Sequence, residues 1–152
     1  MQKIGYLLIL LGLILFVYYK FPRKPSKTIE QKIGKQNFTL EIADTPYLLS
    51  KGLSGRTKLC PNCGMLFIFG HESTQTFWMK DTLIPLDMIF IKASGQITDI
   101  YTASPEMGKS DFQLTLYKST QPIKYVIELN AGTAKNLNLK TGEYLKLSIW
   151  YN

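Results

Sequence analysis

Apolar positions divide the chain into two unequal regimes. From Ile4 to Tyr19 the run IGYLLILLGLILFVYY carries no charge. At a helical rise it covers roughly 24 Å, slightly less than the hydrocarbon core of a bilayer. Lys3 and Lys20 can snorkel, and Tyr18 and Tyr19 suit the interface, so the gap closes. A core helix of a small domain would keep a polar face. No small-x-small cleavage pattern follows Tyr19, which is succeeded by Lys-Phe-Pro-Arg-Lys-Pro. The run is therefore expected to be an uncleaved transmembrane anchor, residues 1–20. Residues 21–36 are expected to be a basic linker, because Pro22 and Pro25 discourage helix and the lysines keep it solvated.

Beyond residue 36 the period changes. Phe38–Ala43 alternates apolar and polar, as a half-buried strand does. Thr45 is a candidate N-cap and Pro46 fits the first helical position, so a short helix is expected from Pro46 to about Lys51, ending at Gly52. Short apolar runs at Met65–Phe69, Thr76–Lys80 and Lys124–Leu129 read as strands. Leu86–Ile91 and Gln96–Tyr101 flank Ala93-Ser94-Gly95 and read as a hairpin. Leu114–Tyr117 and an alternating Tyr144–Trp150 add two more strands, and Thr133–Leu137 a second short helix. Many short strands with turn signals between them predict a mainly-β fold, a compact sandwich or barrel, over residues 37–152.

Charge sharpens this division. The chain is 152 residues with a formal net charge of +7. Residues 1–35 contain Lys3, Lys20, Arg23, Lys24, Lys27, Lys32 and Lys35 against Glu30 alone, so the remaining 117 residues are nearly neutral. A nucleic-acid-binding fold carries its basic patch on itself, and no nucleic-acid partner is expected. The same lysines bear on orientation. More basic residues follow the apolar run than precede it, which by the positive-inside rule turns the domain inward. The usual signal-anchor arrangement turns it outward.

One set of motifs is specific. Gly52-Leu53-Ser54-Gly55-Arg56 precedes Gly64-Met65-Leu66-Phe67-Ile68-Phe69. The long block Phe77-Trp78-Met79-Lys80-Asp81-Thr82-Leu83-Ile84-Pro85-Leu86-Asp87-Met88-Ile89-Phe90 follows. Tyr125-Val126-Ile127-Glu128-Leu129-Asn130-Ala131-Gly132 and Leu139-Lys140-Thr141-Gly142 come later. Over residues 38–147 the chain resembles the DUF192 family, also called UPF0127. The resemblance implies a compact β-sandwich or jelly-roll-like domain and a family whose biochemical role is not established. Many members look exported or membrane-anchored, which favours an extracytoplasmic domain on a single-pass anchor. Some members carry a cysteine pair in the loop matching residues 104–112. This chain instead has Cys60 and Cys63.

Polar residues inside apolar strands are the first candidates for chemistry, because an unpartnered buried charge is costly. Arg56, Lys80, Asp87, Glu128 and Asn130 qualify. Alternation sets Trp78 and Lys80 on the face opposite Phe77 and Met79. If Arg56 or Lys80 pairs with Asp87 or Glu128, the group forms a polar pocket with Trp78 as a wall, suited to a small polar or saccharide ligand. The competing reading is a purely structural ion-pair network. Asp87 and Glu128 would also serve as a hydrolytic carboxylate pair, provided they face one cleft.

Cys60-Pro61-Asn62-Cys63 admits several readings. Outside the cytoplasm it forms a disulfide that staples the loop before the Met65 strand. A redox dithiol favours a helix N-terminus, and here a strand follows. Zinc would need two more ligands, with His71 and Glu72 the nearest. No metal and no cofactor is expected. The only histidine, His71, leaves no triad. The leading expectation is a membrane-tethered binding or accessory module for a small polar or saccharide ligand or an envelope partner. The rival is an enzyme, hydrolytic through Asp87 and Glu128 or redox through Cys60 and Cys63.

Overall fold

The computed structural model describes residues 27–151. The expected anchor, residues 1–20, lies outside them. Among the described residues no helix is long and apolar enough to cross a membrane.

Eight strands and two short α-helices make up the domain: β1 (Thr28–Ile33), β2 (Gln36–Ala43), α1 (Pro46–Lys51), β3 (Cys63–Ser73), β4 (Thr76–Phe77), β5 (Leu86–Ile91), β6 (Ile97–Ala103), β7 (Tyr117–Lys118), β8 (Ile123–Asn130) and α2 (Thr133–Asn136). The mainly-β expectation with two short helices holds. Six strands form one mixed sheet in the order β1-β2-β3-β8-β5-β6, and β4 pairs with β7 as a separate ribbon. Only β2 and β3 run parallel; the other neighbours are antiparallel.

The helix α1 forms where its signals lie. The hydroxyl of Thr45 accepts from Leu48 N at 3.3 Å. Gly52 ends the helix at φ 48°, a value that favours glycine. The β5–β6 hairpin also forms as read. Several local expectations fail: the strand read over Thr76–Lys80 stops at Phe77, and of Leu114–Tyr117 only Tyr117 lies in a strand. β1 occupies Thr28–Ile33, within the stretch read as linker. Tyr144–Trp150 is no strand: it makes one bridge at Tyr144 and ends in a 3-10 turn at Ser148–Tyr151.

Both faces of the sheet are buried. One face gathers Phe38, Leu40, Leu66, Ile89, Tyr125, Ile127 and Leu129. The other gathers Met65, Phe67, Met88, Phe90 and Val126 under Leu53, Met79 and Ile84. This explains why β5 is buried along its whole length. Gly64 lies where β3 passes tightly between its neighbours. A Cβ there would come within 2.5 Å of the Glu128 carbonyl oxygen and 2.8 Å of Leu40 Cδ2.

The sheet is curled. Leu145 N donates to Gly95 O at 2.9 Å, and Ile97 N to Glu143 O at 2.8 Å, at the β6 edge. The very next residue, Lys146, offers its carbonyl to Gln31 Nε2 of β1 at 2.9 Å, and Ser148 N donates to Gln31 Oε1 at 2.8 Å. In a flat six-stranded sheet the two edges would stand roughly 24 Å apart. A few residues of chain cannot span that together with the two strand edges. The edges therefore approach one another, and Leu145 and Leu147 fill the concave side. The expected pair of facing sheets is replaced by one curled sheet with the small β4–β7 ribbon on its outer face.

Candidate functional site

A cavity of about 380 Å³ opens on the face of the sheet away from the C-terminal segment. α1 and Gly52 form one wall. Phe67 and Phe69 come from β3, Phe77 from β4, and Trp78, Lys80 and Thr82 from the segment after it. Glu128 of β8 lies at the bottom. Strand pairing explains the placement: Glu128 stands between Met65 of β3 and Met88 of β5. All three therefore face the same way, and the carboxyl is forced into an apolar layer.

Glu128 is only 5% exposed, and its Oε2 has no hydrogen-bond partner in the protein. Burial disfavours the charged form, and the carboxyl is pushed up to about 8. Gly52 lies beside the carboxyl. A Cβ at Gly52 would stand 4.0 Å from Glu128 Oε2 and press on Phe67 at 3.2 Å. Phe77 is the hub of the aromatic lining. Its ring meets Phe67 at 5.0 Å, Phe69 at 6.3 Å and Phe90 at 5.5 Å, all near edge-to-face. Trp78 is 47% exposed at the mouth. Lys80 Nζ lies 5.7 Å from the Trp78 ring centroid and 2.5 Å from Asp111 Oδ2. The hydrogen bond to Asp111 raises the Lys80 pKa.

Three of the six expected ligand residues meet here: Trp78, Lys80 and Glu128. The other three do not line this cavity. Arg56 pairs with Glu41 at 2.6 Å, not with Asp87 or Glu128. Asn130 donates from Nδ2 to the Cys60 carbonyl at 2.9 Å and so ties the end of β8 to the cysteine loop. Asp87 registers with Leu129, one position from Glu128, and so faces the opposite side of the sheet. It is fully buried, accepting from Thr102 Oγ1 at 2.6 Å and Ala134 N at 2.8 Å. Asp87 thus caps the start of α2, where Gly132 brings no side chain. The pairing of Asp87 with Glu128 as hydrolytic carboxylates is corrected by this register: a sheet separates them.

The residues that strand-by-strand reading missed are Gly52, Phe67, Phe69 and Phe77. In the sequence Gly52 reads as a helix terminator and the phenylalanines as strand residues, and all four also lie in the family motifs. Their convergence depends on the antiparallel β3–β8 pairing, which no local signal encodes.

Cys60 and Cys63 form a disulfide across a tight turn whose Cα atoms are 5.0 Å apart. Cys63 opens β3 and pairs with Thr39 of β2. The bridge closes the loop that leads into β3. Among the described residues no group of three potential metal ligands gathers. His71 and Glu72 are exposed on the far part of β3, and Glu72 accepts from Ala93 N.

Known proteins share this fold and sequence. Residues 28–147 match the DUF192 family, described as Uncharacterized ACR. No curated protein matches the chain. A crystal structure of a candidate transcription regulator from Sinorhizobium meliloti 1021 is 38% identical, with a TM-score of 0.67, and the match covers 74% of this chain and 84% of that one. A crystal structure of a protein of unknown function from Novosphingobium aromaticivorans DSM 12444 is 28% identical, with a TM-score of 0.69, over 83% of this chain and 89% of that one. The matched span takes in every strand and both helices, so the chain belongs to the DUF192 family.

Proposed function

We propose that this domain is a binding module, tethered to a membrane by the apolar run at residues 4–19, which takes a small polar ligand of saccharide type in the pocket above Glu128. The observation that carries the reading is the buried, unpartnered Oε2 of Glu128 at the bottom of an aromatic-lined cavity. An unmet buried acceptor costs on the order of 1–3 kcal/mol. A ligand hydroxyl or N–H would recover that cost. The Trp78 ring at the mouth offers a flat apolar face to a sugar ring. The cavity volume falls in the range of small-molecule sites. Near neutrality beyond residue 35 argues against carrying nucleic-acid regulation over from the Sinorhizobium protein.

The test is quenching of tryptophan fluorescence in the full chain, held in detergent, by a panel of monosaccharides. Glu128→Gln should weaken binding at least tenfold. Arg56→Ala and Asn130→Ala should leave it unchanged, since both lie outside the pocket. Binding that is absent throughout, or equally lost in Arg56→Ala, overturns the reading. The proposed outside orientation is read separately, from a cysteine introduced at the fully exposed Phe112. An impermeant maleimide should label it in intact cells, and labelling only after lysis reverses the orientation.

A further inference from the structure

We infer that the ligand of this pocket presents a basic nitrogen to Glu128, as the ammonium of an amino sugar would, with the aromatic rings enclosing the cation. The inference rests on the pocket reading above and narrows its ligand.

Four features of the site point the same way. Glu128 is the one carboxyl among the described residues lining the cavity. It is more than nine-tenths buried and lacks a protein donor at Oε2. A buried carboxylate is tolerated when a cation meets it with good geometry. Second, Phe67, Phe69, Phe77 and Trp78 surround the space in front of it. Aromatic faces are negative and attract ammonium groups, and enclosure by several rings is a recurrent way of holding them. Third, the cations lining the cavity are already engaged. Lys80 is paired with Asp111, and Lys51 Nζ lies 5.7 Å from the Tyr47 ring centroid. Fourth, the cavity reaches Glu128 beside Gly52, where an added Cβ would stand 4.0 Å from Oε2.

The charged groups facing Glu128 are few. Lys51 comes from α1 and Lys80 from the segment after β4, while β3 contributes only Phe67 and Phe69 to the lining. Neither lysine is hydrogen-bonded to Glu128, and burial holds its carboxyl near 8. At pH 6.5 the empty site is therefore in its neutral acid form. An arriving ammonium converts it to carboxylate. The O–H bond of Glu128 breaks, its proton passes to the buffer, and the ammonium keeps all of its own. One proton is released for each ligand bound. A neutral sugar releases none.

Isothermal titration of the full chain in detergent at pH 6.5, in two buffers of different ionisation enthalpy, counts that proton. Glucosamine is the probe, with glucose and N-acetylglucosamine as neutral controls. Glucosamine should bind at least tenfold more tightly than either control and release close to one proton. Glu128→Gln should abolish the release and cost at least tenfold in affinity. Trp78→Ala should weaken binding yet keep the release. The count is read on the wild type, so it stands even if a variant fails to fold. Glucose binding as tightly as glucosamine, or glucosamine binding without proton release, overturns the basic nitrogen but leaves the pocket reading intact. Failure of all three probes, and of the panel above, sinks both.

Discussion

Glu128 and Asp87 occupy neighbouring strands, each set among apolar residues, and their environments are opposite. Asp87 accepts two hydrogen bonds, from Thr102 and from the start of α2. Glu128 stands in an apolar layer without a donor at Oε2. The pKa of Glu128 is raised from 4.5 to about 8 on folding. Between those values the folded state holds a proton that the unfolded chain releases. The contribution to stability is thus complete below pH 4.5 and lost as pH rises to 8, by an amount on the order of a few kcal/mol. Glu128→Gln removes this titration. In urea titrations across pH 4–9, the variant should gain on the wild type as pH rises from 4.5 to 8 and run parallel above it. A constant difference at every pH would refute the assignment. The sequence showed that both carboxylates interrupt apolar strands. It could not show their fates, because the start of α2 that meets Asp87 and the rings around Glu128 come from segments distant in sequence.

At the level of elements, legibility followed the reach of the signal. α1 was readable from Thr45, Pro46 and Gly52, which lie within one short stretch. The β5–β6 hairpin was readable because its turn residues sit between its strands. β1 escaped because Ile29-Glu30-Gln31-Lys32 resembles the basic tether before it, and its partner strand supplies the pairing. The segment at Tyr144–Trp150 shows why alternation alone misleads. Leu145 and Leu147 do point inward, but its backbone bonds go to the Gly95 turn and to the Gln31 side chain rather than to a neighbouring strand. The Cys60–Cys63 disulfide closes a very short loop at the start of β3. Its chain-entropy contribution is correspondingly small, about 2 kcal/mol. Reduction, or a Cys60→Ser/Cys63→Ser double variant, should lower the melting temperature by several degrees while preserving the far-ultraviolet circular dichroism. Global unfolding on reduction would show that the staple holds more than its own loop.

Across the whole molecule, the C-terminal segment joins the two edges of the curled sheet, and Gln31 is the joint on the β1 side. Its amide is 1% exposed, with both heteroatoms satisfied by the backbone of residues 146–148 or its own neighbour Lys32. Gln31→Ala leaves Ser148 N without that acceptor and should cost on the order of 1–3 kcal/mol by denaturant titration. Hydrogen exchange should speed at β1 and at residues 143–148 together, with β8 unaffected. Uniform acceleration across the sheet would mean that the edges are not a separate unit. The strand count and the β character were open to reading because each strand advertises itself. The curl was not, because it follows from hydrogen bonds such as the two that join the Gln31 side chain to Lys146 and Ser148, more than a hundred residues away in sequence.

The sheet order has its own consequence for how the chain is made. β8 lies between β3 and β5, yet it follows both in sequence. As the polypeptide leaves the ribosome, the strands that will flank the middle of the sheet emerge long before the middle itself. Until residue 130 is free, the edges of β3 and β5 that β8 will pair have no partner, and both stand open to any extended chain nearby. Assembly must therefore wait for the last long strand, which enters as a keystone rather than as an addition to a finished edge. The carboxyl of Glu128 travels with it, so the interior receives its acid at the moment the two halves of the sheet first meet.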